Sequence, residues 1–281
     1  MKQRLLVAAV GVPLLIVVLV FLPPIAATIL VAAIAGAAAY ELLHTAGKNI
    51  PPFVYILTVV TAVLTVLFCA RKPWPAAYSA PDYRPYLYAA LAFLYVMALF
   101  FTAVHTHGTE KAMPFASVAI CIVAAFLFPA MYSFIALLRN IGPSFVLMPF
   151  VIAFIGDSFS MLGGMAFGHK KFAPHVSPNK TWAGFLAGPV GSALGMVLLG
   201  LVSKWLWQME LPLWYLAVIG IAANLFGQLG DLSMSLIKRE AGIKDYSHIF
   251  LTHGGVLDRF DSTLFLAPVV YAMLFLLEKL V

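Results

Sequence analysis

Residues Ser144–Phe167 read SFVLMPFVIAFIGDSFSMLGGMAF. The run lacks the alternation of a half-buried strand, and it is long enough to carry a helix across a hydrocarbon core of about 30 Å, which takes roughly 20 residues. A single charge interrupts it. Asp157 stands near the middle, where a carboxylate costs about 2.5–3.5 kcal/mol on insertion scales, so it asks for a partner or a function. Its neighbours Gly156, Ser158, Ser160, Gly163 and Gly164 make one helix face small and polar. A buried carboxylate tied to an adjacent helix would leave the same pattern.

Working outward, apolar runs of this kind recur at Leu5–Leu22, Pro24–Leu43, Phe53–Ala70, Tyr86–Val104, Pro114–Leu138, Ala183–Trp207, Leu213–Ile237 and Ser262–Leu280. With the first they predict an all-α polytopic membrane bundle of about nine transmembrane helices. Composition agrees. Of 281 residues 63% are hydrophobic and 10% charged, where soluble domains carry roughly 25% charge; the mean hydropathy is +1.00. Open sheets cannot satisfy their backbone groups in lipid, and long uniformly apolar runs are not barrel strands. The expectation is one polytopic domain over 1–281, with scaffold helices in 1–143 and catalytic helices and loops in 144–281.

The net charge of +6 does not argue for nucleic acid, because the Lys and Arg fall in short loops where lipid headgroups and phosphates are the usual partners. Cys69 and Cys121 sit inside apolar runs, away from any metal-ligand spacing, and read as packing residues. Lys2 and Arg4 ahead of Leu5–Leu22 resemble a signal peptide, but the run is long and no small-x-small site follows, so a retained span is expected. Small residues at helical spacing, such as Gly184 with Gly188 and Gly191 with Gly195, predict close helix approach. Most Lys and Arg fall on the side of the N-terminus, which predicts a cell-membrane protein with that end in the cytoplasm. Much of this excess lies in the two loops considered next, so the rule alone does not settle orientation.

All aspartates but Asp82 lie between Asp157 and Asp261. Within that interval, Gly168–Gly184 reads GHKKFAPHVSPNKTWAG, with Lys170, Lys171 and Lys180 interleaved with Ser177, Asn179 and Thr181. Lysines give point charges, hydroxyls give donors, and Thr181 stands where a helix N-terminus would favour an anion. The loop reads as a phosphate cradle, although a basic membrane-surface loop would look similar.

Gly230–Asp261 reads GDLSMSLIKREAGIKDYSHIFLTHGGVLDRFD. Helical spacing places Asp231, Ser235 and Lys238 on one face with Arg239 beside them. Beyond Lys244 and His253, Gly254 and Gly255 allow close backbone approach to a ligand. Asp258, Arg259 and Asp261 follow, with the two carboxylates three apart. Carboxylates so placed repel one another unless a cation compensates, and Mg²⁺, held by one or two carboxylates plus substrate phosphates, would do so through Asp231, Asp258 and Asp261. The bland alternative has Asp261 capping the last helix and Arg259 paired with a nearby acid.

This block resembles the phosphatidate cytidylyltransferase (CDP-diacylglycerol synthase) family. The family pattern runs Ser-x-apolar-Lys-Arg, four residues, Lys-Asp, then His-Gly-Gly-apolar-x-Asp-Arg-apolar-Asp. Ser235, Ile237, Lys238, Arg239, Lys244, Asp245, His253, Gly254, Gly255, Val256, Asp258, Arg259, Phe260 and Asp261 meet it. Asp157-Ser158 and the run Ser177–Trp182 also resemble the family. Two departures stand out: Leu251-Thr252 where the family commonly has Pro-Gly, and Ala183 where it commonly has Glu.

The resemblance implies attack of a phosphatidate phosphate oxygen on the α-phosphorus of CTP, with pyrophosphate leaving and Mg²⁺ or a similar cation assisting. It implies catalytic roles for Asp231, Asp258, Asp261, Lys238 and Arg239. Substrate binding would fall to Asp157, Ser177, Lys180, Thr181, Ser235, Lys244, His253, Gly254, Gly255 and Arg259. The site would face the cytoplasm, where CTP is found, with membrane lipid as the other partner; a homodimer is among the assemblies such a bundle admits. Two other readings stay open on the residues: a CTP-dependent polyprenol or phytol kinase, and a transporter, which an intramembrane Asp with Gly-rich helices would suit.

Overall fold

The computed structural model describes residues 11–70, 83–208, 210–247, 249 and 254–280. Nine helices run through these residues: α1 Gly11–Phe21, α2 Pro24–Ala46, α3 Pro52–Cys69, α4 Arg84–Thr106, α5 Phe115–Ile141, α6 Pro143–Phe167, α7 Trp182–Trp207, α8 Leu213–Glu240 and α9 Leu257–Leu280. Eight of them, α2 to α9, are long and apolar enough to cross a membrane. They correspond to the second through ninth runs read from the sequence. Of the first run, α1 covers the described part.

The all-α expectation holds with one addition. The loop between α6 and α7 contains an antiparallel hairpin, β1 Lys171–Ala173 and β2 Ser177–Thr181, pairing Lys171 with Thr181 and Ala173 with Ser177. The last helix also starts earlier than the apolar run suggested, at Leu257 rather than Ser262. Asp258 and Asp261 therefore belong to the first turns of α9.

The described chain divides into two compact units. One is Thr28–Ser133, carrying most of α2, then α3, α4 and the first part of α5. Its interior is small and hydroxyl-rich. Tyr95 Oη lies 2.8 Å from Thr58 Oγ1 and donates to Cys121 O at 3.1 Å. Within α5, Val123–Leu127 widens into a π-helical turn, the kind of local unwinding that frees a carbonyl, and Ala125 O accepts from Thr65 Oγ1 at 2.8 Å. Cys121 is buried and forms no disulfide, in keeping with packing.

The other unit holds the chain before Thr28 together with everything from Phe134 on. Here α6, α7, α8 and α9 pack in sequence, and α1 packs on α6. Arg139, near the end of α5, donates to Val20 O at 3.2 Å and Leu22 O at 2.9 Å, satisfying carbonyls that the end of α1 leaves free. One face of α7 is nearly bare: Gly184, Gly188, Gly191 and Gly195 are buried, whereas Leu186, Val190, Leu194 and Leu198 are exposed. Small residues let the backbone of α6 come close, and the opposite leucine and valine stripe suits lipid. This close approach of α6 to α7 shapes the site.

Candidate active site

Four helices and the hairpin enclose a cavity of about 580 Å³. From α6 come Asp157, Ser160, Met161 and Gly164, spaced as one helical face must be. From α8 come Gln228 and Asp231, from α9 Asp258, Asp261 and Ser262, and from the hairpin Lys171, Phe172, Asn179 and Lys180. Thr181 closes the wall where α7 begins. Its side-chain oxygen accepts from Gly184 N at 3.2 Å, so the N-terminus of α7 is capped beside the cavity, and the free N–H groups of such an end favour an anion.

The four carboxylates differ in what they touch. Asp258 is fully engaged: Oδ1 accepts from Lys238 Nζ at 2.6 Å, and Oδ2 accepts the backbone N–H groups of Tyr246 at 2.8 Å and Gly255 at 2.9 Å. Gly254 makes this approach feasible, with φ of +81° and a position where a Cβ would stand 2.7 Å from Asp258 Oδ2. Asp231 pairs with Lys180 at the open side. Asp261 is buried and accepts from Ser262 N at 2.7 Å. It also feels the charges of Asp231, Asp157 and Lys238. Asp157 opens onto the same space.

Of the residues given catalytic or substrate-binding roles from the sequence, six thus line one cavity: Asp157, Lys180, Thr181, Asp231, Asp258 and Asp261; Lys171 and Asn179 of the expected phosphate cradle join them. Others stand around it. Lys238 is buried behind Asp258, with its ammonium 5.5 Å from the Tyr246 ring centroid. Arg239 donates to Val176 O at 3.3 Å and Ile243 O at 3.1 Å, tying the hairpin turn to the end of α8. Ser177 opens β2 and Ser235 is half-buried on α8. Lys244 and Arg259 are exposed, and Gly254 and Gly255 are buried before α9. Ala183, one of the two departures from the family pattern, lies half-buried in the first turn of α7. His253, Leu251 and Thr252 lie outside the described residues.

Sequence reading missed Gln228 altogether and counted Ser160 only as a small polar neighbour. The signal existed. An Asn and a Gln inside a span, at positions 224 and 228, continue inward the helix face that carries Asp231; like Asp157, they are polar groups that lipid would not tolerate.

The donor set bears on a metal. Of the three carboxylates expected to ligate a cation, Asp231 and Asp261 face the cavity together with Asp157, whereas both oxygens of Asp258 are taken up by Lys238 and two backbone N–H groups; hard oxygens of this kind would suit Mg²⁺. Among the described residues, no group of three or more His, Cys, Asp and Glu could by itself hold a metal ion. The carboxylates form no all-protein cage, and a cation here would need phosphate oxygens to complete its shell.

Comparison with known proteins places this geometry in context. A model of the cytidylyltransferase family matches residues 2–277. The phosphatidate cytidylyltransferase of Bacillus subtilis (strain 168) is 30% identical over 277 residues, 98% of this chain and 97% of its own. That of Staphylococcus epidermidis is 32% identical over 170 residues, 60% of this chain and 64% of the relative. That of Rickettsia prowazekii is 39% identical over 132 residues, covering 46% and 57%.

Proposed function

The chain belongs to the cytidylyltransferase family, and we propose that it transfers the cytidylyl group of CTP to phosphatidate, forming CDP-diacylglycerol and pyrophosphate in the membrane. One observation carries the reading. Carboxylates from three membrane helices, Asp157, Asp231 and Asp261, share a cavity with Lys171, Lys180 and a helix N-terminus, which is the equipment for gathering phosphate groups and a counter-cation.

The nucleophile is a phosphate oxygen already anionic at neutral pH, so the site needs no general base. Its residues have to align two phosphates and neutralise charge. Lys180 and Lys171 would receive the triphosphate with the start of α7, Asp231 giving up its pairing with Lys180 as substrate arrives. A divalent cation held by Asp231 and Asp261, with Asp157 alongside, would draw charge off the reacting phosphate and the departing pyrophosphate. Lys238 holds Asp258, and through it the segment entering α9, in register. We place the cavity on the cytoplasmic face, the side that CTP reaches, so that lipid enters from the bilayer beside it.

The test is purified protein with phosphatidate, CTP labelled at the α-phosphate, and Mg²⁺. Labelled CDP-diacylglycerol, lost on chelation and in Asp261→Asn, is the expected result. Release of CDP with a phosphorylated alcohol would replace this reading with a lipid kinase, and solute flux in liposomes without CTP turnover would replace it with a transporter.

A further inference from the structure

Asn224 and Gln228 stand a turn apart on α8 and belong to a hydrogen-bond chain that runs in one direction. The Ser192 hydroxyl donates to Ile152 O at 3.0 Å and accepts from Asn224 Nδ2 at 2.8 Å. Asn224 Oδ1 accepts from Gln228 Nε2 at 2.7 Å, and the same nitrogen donates to Phe185 O at 3.1 Å. Backbone carbonyls end the chain on both sides, and carbonyls only accept. The orientation of the Gln228 amide is thereby fixed, because turning it over would set oxygen against two acceptors. Its nitrogen is committed to the protein. Its Oε1 has no hydrogen-bond partner among the described residues, and Gln228 lines the cavity.

Beside it, Ser160 lines the same cavity, and its Oγ, turned toward Gly188 and shielded from the cavity, has no partner either. The two side chains are neighbours across Gly188. A Cβ there would meet Ser160 Oγ, with Asn224 Oδ1 at 2.9 Å and Gln228 Nε2 at 3.0 Å. Phe185 and Phe172 also face the cavity, stacked with ring centroids 4.5 Å apart. Elsewhere the wall carries the lysines and carboxylates suited to phosphate and cation, with Met161, Met165, Asn179 and Thr181 among them. This corner is neutral, with an obligate acceptor, a hydroxyl and an aromatic surface.

We propose that Gln228, with Ser160 beside it, reads the nucleobase of the nucleotide substrate: Gln228 Oε1 accepts from the exocyclic amine of cytosine, and the Ser160 hydroxyl, on turning from Gly188 into the cavity, donates to the adjacent ring nitrogen. The inference rests on the reading of the cavity as a CTP site. Phosphatidate is a poor occupant of this corner, since its neutral polar groups are ester carbonyls, which present acceptors to an acceptor. Cytosine offers a donor and an acceptor side by side and a flat face for Phe172 and Phe185. Uracil reverses both, placing a carbonyl oxygen against Oε1 and an N–H against the hydroxyl. A site that hydrogen-bonds a substrate N–H rejects an analogue lacking it, because its own buried group is left unpaired.

The experiment measures kcat/KM with phosphatidate for CTP, UTP and a CTP analogue whose exocyclic amine is dimethylated. It uses the purified full chain, Gln228→Met, and Gly11→Ala as a variant outside the hydrogen-bond chain and the cavity. Wild type should favour CTP over both alternatives by about a hundredfold or more. Gln228→Met should lose about tenfold or more on CTP and little on UTP, while Gly11→Ala keeps the ratio. Equal use of CTP and the dimethyl analogue by wild type overturns the inference whether or not the variant folds. So does an equal fall for CTP and UTP in Gln228→Met with wild type active. A wild type inactive with every nucleotide overturns the CTP site itself, and the base-reading assignment with it.

Discussion

Lys238 on α8 and Asp258 on α9 are joined Nζ to Oδ1 at 2.6 Å, with side chains 11% and 5% exposed. The pair does more than link two helices. The other oxygen of Asp258 gathers the N–H groups of Tyr246 and Gly255, so one carboxylate fixes the loop on both sides and delivers α9 with Asp261 facing the cavity. Two aspartates three residues apart thus make different contacts, Asp258 with Lys238 and two backbone N–H groups and Asp261 with Ser262 at the cavity wall.

Breaking that pair from the lysine side strands a buried carboxylate. Lys238→Met should lower stability by about 3–5 kcal/mol, as removal of one member of a buried ion pair does. Asp258→Asn should cost less, because an amide oxygen still accepts from Tyr246 N or Gly255 N. The double variant should recover part of the loss, since neither charge is left alone. Thermal unfolding of the four proteins in detergent measures this; equal losses for both single variants, with no recovery in the double, would refute it.

Asp261→Asn should behave in the opposite sense. The side chain is buried near Asp231 and Asp157, and without a cation the like charges oppose one another. Removing one charge should leave the cation-free fold as stable or more stable, while turnover falls by about a hundredfold or more, the scale for losing a group that stabilises transition-state charge. A melt in chelator beside a turnover assay in Mg²⁺ separates the two effects. A variant both unstable and inactive would mean that Asp261 is structural.

The spans were legible because lipid leaves little choice: an apolar stretch of that length must be helical. The three blocks that the structure brings together were legible because charge is scarce in such a chain. Division of labour among the aspartates was not. Spacing put Asp258 and Asp261 on one side of a helix, but which of them meets Lys238 depends on where the segment around Tyr246 and Gly255 returns, and no local pattern encodes that. The hairpin at Lys171–Thr181 was hidden for a related reason, since its strands are short and polar and carry a proline. Gln228 was overlooked because an uncharged amide in a span draws less notice than an aspartate, although a buried amide also needs partners.

Lys180 touches Asp231 at the open side, where the two side chains are 28% and 30% exposed. An ion pair so placed contributes about 0–1 kcal/mol. Lys180→Met should therefore leave the melting temperature nearly unchanged and lower kcat/KM for CTP by about tenfold to a hundredfold, the value of one charge-assisted contact to phosphate. The loss should shrink little in high salt if it comes from a direct contact, and should largely disappear if Lys180 acts only by long-range attraction. Steady-state kinetics at two ionic strengths decides.

The contact of α6 with α7 gives the sharpest steric prediction. At Gly184 an added Cβ would lie 2.5 Å from Ser160 O, a backbone atom that cannot turn aside. Gly184→Ala must push α6 away, at a cost of about 1–3 kcal/mol for overpacking. Asp157 and Ser160 would move with it, so activity should fall beyond what the stability loss explains. Gly11→Ala, where nothing lies within 4 Å of the added atom, should be neutral to slightly stabilising, because alanine is the better helix former. Measured together by melting and by turnover at a temperature where both variants are folded, Gly184→Ala should be impaired and Gly11→Ala should match wild type; full activity of Gly184→Ala would show that the cavity tolerates separation of the two helices.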